Sequence, residues 1–202
     1  MKRFNKELPL LVSLLFAHIL LYFTFIDKDI FWYMYTAAIL FLVTFTLFYH
    51  IPKSQSDKKK DYLYGILSGL LLYGIFKIGF SLLVLFSSSV EKDVNKLYGN
   101  YSPEFFWHYL VLLFILIPGE EVFWRGFFQR RLASKMNSFM AIFISSIAYA
   151  SIFYYSSQPI WMLAAFVAGL FWGLLYKWKE SLRLVIVSHI VFILFFIILL
   201  PL

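Results

Sequence analysis

Seven apolar stretches follow one another along the chain with only short polar breaks, at residues 8–26, 30–49, 62–86, 105–128, 139–155, 160–178 and 181–202. Runs of about 20 apolar residues are the length a helix needs to cross a bilayer. Inside a bilayer every backbone N–H and C=O must be bonded within the protein. The pattern therefore predicts an all-α membrane protein, a polytopic bundle of about seven transmembrane helices. The composition agrees: 62% of the 202 residues are hydrophobic and 14% charged, far from soluble norms. No stretch is long enough for a separate soluble unit, so residues 1–202 are expected to form a single transmembrane domain. The first apolar run is full length and has no small-residue cleavage site, so it is expected to be a retained span. There is no cysteine, which excludes disulfides, iron–sulfur clusters and a thiol nucleophile.

The charges locate the two faces. Lys2, Arg3, Lys6, Lys53, Lys58, Lys59, Lys60, Arg130, Arg131, Lys135, Lys177, Lys179 and Arg183 fall in alternate loops counted from the N-terminus, whereas the opposite loops hold Lys28, Lys92 and Lys96. By the positive-inside rule the N-terminus is expected in the cytoplasm and the C-terminus outside; in a bacterium this would be the plasma membrane. The net charge of +7 thus sets topology at an anionic membrane face and does not imply a nucleic-acid partner. The connection from Ser87 to Pro103 is expected to be a polar loop. The third span carries Gly65 and Gly69 at close-packing spacing.

One segment breaks the apolar pattern. Pro118-Gly119-Glu120-Glu121-Val122-Phe123-Trp124-Arg125-Gly126 continues the run 105–117 without a polar break, so two carboxylates and a guanidinium lie within a span. Each such charge costs about 2.5–3.5 kcal/mol on insertion scales, which makes a functional role the first expectation. On a helix Glu121 and Arg125 share a face at i,i+4 and can pair. Glu120 projects about 100° away and is left over. A carboxylate without a counter-charge in a water-poor pocket suits a general base. Glu120 lies about 22 Å below the outer end of its span, and His189 about 12 Å from the cytoplasmic end of the last one. They are expected to face one cavity open toward the cytoplasmic side. His18, His50 and His108 have no such match in depth and are expected to be interfacial or packing residues.

The order of these features resembles the CPBP family of intramembrane endopeptidases, the CAAX-endopeptidase and bacteriocin-processing group also called the Abi family. The resemblance covers roughly the last hundred residues. It rests on Glu120-Glu121-x-x-x-Arg125-Gly126, the pair Ser145-Ser146, Gly169-x-x-x-Gly173, the turn Ser181-Leu182 and His189. It implies a catalytic-type core at 105–202, preceded by three spans at 1–104 without family signal. In the family a glutamate-activated water attacks a peptide carbonyl, while His and Asn stabilise the oxyanion. Carried over, Glu120 is the base, Glu121 and Arg125 support it, and His189 is the oxyanion donor or electrostatic partner. The expected substrate is a membrane-embedded or lipidated peptide cut near the cytoplasmic face.

The chain departs from the family at two places. The second motif, Phe-x-x-x-His, reads Tyr149-Ala150-Ser151-Ile152-Phe153, and the third, His-x-x-x-Asn or Asp, reads His189-Ile190-Val191-Phe192-Ile193. Ser145, Ser146, Tyr149 and Ser188 lie at similar depth and are candidates to supply the missing hydrogen bonds. A second reading is a catalytically impaired relative acting as a scaffold, immunity factor or binder of a membrane-protein partner. A small proton-coupled transporter is a third, but the spans lack repeat symmetry. No cofactor is expected. Zinc on Glu120 and His189 would fall short of the three protein ligands of a catalytic site.

Overall fold

The structure, a computed structural model, describes residues 4–49 and 57–201. His50 and Lys53 lie outside the described residues, as do Lys2 and Arg3. The described residues form eight helices and no strand: α1 (Phe4–Ile26), α2 (Phe31–Leu47), α3 (Lys58–Phe86), α4 (Ser89–Tyr101), α5 (Phe106–Ala133), α6 (Ser138–Ser156), α7 (Pro159–Lys179) and α8 (Leu182–Leu199). Six are long and apolar enough to cross a membrane, as an integral multi-pass protein requires. α2, at 17 residues, is about 25 Å long and sits at the short end of the spanning range.

α4 corrects the expectation of a polar loop at 87–103. Its apolar residues Val90, Val94, Leu97, Tyr98 and Tyr101 recur at helical spacing along one stripe, and Val94 and Tyr101 are buried. The intervening Glu91, Lys92, Asp93 and Lys96 are exposed. Averaged over a window, those charges hide the stripe from a hydropathy reading.

Helix ends are fixed by local chemistry. Asp57, Asn137 and Ser181 cap α3, α6 and α8, each side chain accepting a backbone N–H from the first turn. α3 is tied to α8 where the two begin: Ser181 Oγ donates to Asp61 Oδ2 at 2.6 Å, and Arg183 Nη1 donates to the same oxygen at 3.1 Å. Farther along, Gly69 lets the two backbones meet, since a Cβ there would stand 2.6 Å from the Ser188 carbonyl oxygen. The main core unites α1, α2, α4, α5, α6 and α7. Toward the α4 end it becomes a cluster of rings in which Phe31 and Trp161 each lie about 5 Å from Tyr101, and Phe153 stacks 4.8 Å from Trp161.

Candidate active site

α5 carries the acidic motif, and its backbone is irregular on both sides of it. Bonding widens to i→i+5 over Leu112–Leu116 and again over Val122–Gln129, flanking the turn Ile117–Glu121. Pro118 explains the first widening: it brings no N–H and crowds the carbonyl four residues back. Such bulges are frequent at functional sites. Gly119 then admits α2. A Cβ at this position would overlap the Ile39 side chain, and Ile39 lies one turn along α2 from Tyr35.

The three motif charges are all buried, with Glu120 at 6% exposure, Glu121 at 0% and Arg125 at 2%. Arg125 pairs with Glu121 as its spacing implies: Nη1 donates to Oε1 and Nε stands beside Oε2, both at 3.2 Å. Its guanidinium lies over the rings of Tyr149 and Trp172, 4.8 and 5.4 Å from their centroids. Glu121 also takes His189, whose Nδ1 is 2.8 Å from Oε1. His189 stacks on Trp172 with centroids 3.7 Å apart. Glu121 is therefore shared between a guanidinium and an imidazole carried by α8.

Glu120 is held differently. Tyr35, from α2, donates its hydroxyl to Oε1, and Tyr149, from α6, donates to Oε2 at 2.7 Å. Two phenols on two other helices thus grip both oxygens of one carboxylate. Of the donors expected from the sequence, Tyr149 alone reaches Glu120. Ser146 Oγ bonds to the Ile142 carbonyl, and Ser188 Oγ is buried without a hydrogen-bond partner among the described residues. Tyr35 escaped the sequence reading altogether. Nothing local marks it among 14 tyrosines, because its pairing depends on how α2 rotates against α5.

Glu120 and His189 do face one cavity, of about 140 Å3. Phe153 and Ile193, the two positions where the family pattern is broken, line it as well. Against the expected opening toward the basic loops, no described residue at the basic-loop ends of the helices lines this cavity. From Glu120 and Trp172 the cavity runs the other way, past Leu112 and Ala165 to Phe31, Leu97, Tyr98, Tyr101 and Trp161. On the basic-loop side the space beneath the site is filled by Arg125, by Phe128 and by Gln129, whose Nε2 donates to the Gly173 carbonyl at 3.0 Å.

The other histidines lie elsewhere. His18 bridges Tyr155 and Ser151 at 3.0 and 3.2 Å. His108 stacks on Trp32 and accepts the N–H groups of Glu104 and Phe105. Both act as packing residues between helices. Among the described residues no three His, Asp or Glu side chains gather in a metal-binding group.

No curated protein and no solved structure matches the chain. The motif-bearing half does match a family. Residues 102–195, which carry Glu120, Glu121, Arg125, Tyr149 and His189 on α5, α6 and α8, match the type II CAAX prenyl endopeptidase Rce1-like family, and over those residues the chain carries a domain of that family.

Proposed function

We propose that the chain is a glutamate-dependent intramembrane endopeptidase acting on a membrane-embedded or lipidated peptide. One observation carries this reading: Glu120 is fixed by two phenols at the inner end of a cavity it shares with His189. A carboxylate has about four acceptor sites, so two hydrogen bonds leave room for a water. Glu120 takes a proton from that water, and the hydroxide adds to the peptide carbonyl carbon. His189 in its charged form donates Nδ1–H to Glu121, which leaves Nε2–H for the developing oxyanion. The proton held by Glu120 then passes to the amine as the C–N bond breaks. Arg125 and Glu121 touch no substrate in this scheme; they set the position of His189 and of the Tyr149 ring. Glu120 is near the middle of α5, and His189 lies about 10 Å from the basic-loop end of α8. The cut therefore falls within the bilayer, in the half toward the cytoplasm if the basic loops are cytoplasmic.

A binding protein is the second reading, supported by Phe153 and Ile193, which give the cavity apolar surface where the family has His and Asn. A cleavage assay on reconstituted protein with a panel of membrane peptides separates the two. Cleavage by wild type that disappears in Glu120→Gln, with insertion intact, supports the peptidase. Full biological function in Glu120→Gln supports the binder.

A further inference from the structure

We propose that the peptide reaches Glu120 from the end of the bundle opposite the basic loops, passing under α4 and seating one large apolar side chain in a ring-walled pocket. The inference deepens the peptidase reading and rests on it for the role of Glu120.

Three observations point to this route. First, the cavity has one polar end and one apolar end. Glu120 and His189 lie at the first, and the rings of Phe31, Tyr101, Phe153 and Trp161 wall the second. Second, exposure rises along the same line. Glu120, Tyr35 and Tyr149 are buried, whereas Leu97, Tyr98, Ser102, Phe196 and Ile197 are partly exposed around the α4 end. Third, α4 crosses this mouth with its side chains on the cavity wall: Tyr98 donates to the Phe196 carbonyl at 2.7 Å, and Tyr101 anchors the end of the helix in the ring cluster. Phe196 lies in Leu194–Leu199, where bonding in α8 widens to i→i+5.

The occupant follows from the chemistry. The whole cavity, polar end included, is about 140 Å3, close to the ~150 Å3 of cavities that accept a benzene ring, so it has room for one bulky side chain and no more. Its walls offer few polar groups away from Glu120 and His189, so an aromatic or large aliphatic side chain fits and a charged one does not. If the basic loops face the cytoplasm, this end faces outward. The substrate class is then a membrane-bound peptide presented from the outer side, with a bulky apolar residue on the outer side of the bond that is cut.

The absence of cysteine makes a single-cysteine test clean. Ser102→Cys and, as a second mouth position, Leu97→Cys are compared with Ser134→Cys at the basic-loop end. Each is treated with a membrane-impermeant maleimide on intact spheroplasts and after permeabilisation. The mouth cysteines are expected to react from outside, and Cys at 134 only after permeabilisation. The probe is a synthetic transmembrane peptide with one phenylalanine at its outer boundary, set against the same peptide with aspartate there. The phenylalanine peptide is expected to slow labelling at the mouth about tenfold, in Glu120→Gln as in wild type, and the aspartate peptide is not. Labelling of the mouth from the same side as position 134, equal protection by both peptides, or protection by neither overturns the proposal. Protection without cleavage removes the peptidase reading and leaves the route. Cleavage without protection removes the route and leaves the peptidase.

Discussion

Tyr149 stands at the first position of the family's second motif, and its hydroxyl reaches Glu120 while Phe153, one turn later, packs edge-on against its ring at 5.5 Å. The hydrogen bond to the carboxylate thus comes from the start of the motif and from a second phenol on α2. A hydrogen bond to a charged group is worth about 1.5 kcal/mol or more, roughly tenfold in rate. Tyr149→Phe and Tyr35→Phe are each expected to lower kcat about tenfold with little change in KM, because in the proposed scheme the phenols touch the base and not the peptide. A steady-state comparison at matched expression checks this, and a rise in KM at unchanged kcat would count against it. Since both bonds serve one carboxylate, the double variant should depart from additivity. Glu121 and Arg125 make a different prediction. Their charges are buried and mutually paired, so Arg125→Ala is expected to cost about 3–5 kcal/mol of stability, read as a lower thermal midpoint in detergent. Glu120→Gln should leave that midpoint nearly unchanged.

How far elements can be read from sequence depends on whether the information lies within one helix or between several. The Glu121–Arg125 pair was legible because i,i+4 spacing is a property of a single helix. His189 was legible because depth along a span survives any rotation. Tyr35 was not, since its contact with Glu120 follows from α2 packing on the notch at Gly119. α4 was not, since its stripe is thin beside its charges. The direction of the cavity was not, since it depends on which side chains fill the space beneath Arg125. The Gly119 notch is testable. A Cβ there overlaps Ile39 and comes 3.1 Å from Val43 Cγ2, and overpacking of this kind costs about 1–3 kcal/mol. Gly119→Ala is expected to push α2 outward and lower cleavage by withdrawing Tyr35. Ile39→Ala in the same chain should restore much of the loss by reopening the space. Failure of this rescue would mean that Gly119 matters for the α5 backbone and not for the fit of α2.

At the scale of the whole molecule, the boundary of the family match does not coincide with the boundary of the site. The match begins at residue 102, yet Tyr35 reaches Glu120 from α2, and Phe31 and Trp32 line the cavity beside it. The core is likewise shared, joining Leu21 and Phe25 of α1 and Ile39 and Leu42 of α2 to Leu116, Phe123 and Ile152. Between helices in a bilayer such contacts act through packing and hydrogen bonds, because lipid tails are as apolar as the side chains they replace. Residues 102–202 expressed alone are therefore expected to insert but not to cleave, since Glu120 keeps one phenol and loses the wall of its pocket. Co-expression of residues 1–101 as a separate chain should restore cleavage, because α1 and α2 associate with α5 and α6 through interfaces already formed by whole helices. Carrying Tyr35→Phe on the separate chain should lower the restored rate about tenfold, as it does in the intact protein. Full cleavage by residues 102–202 alone would show that α1–α4 only shelter the site and that the phenol from α2 is dispensable.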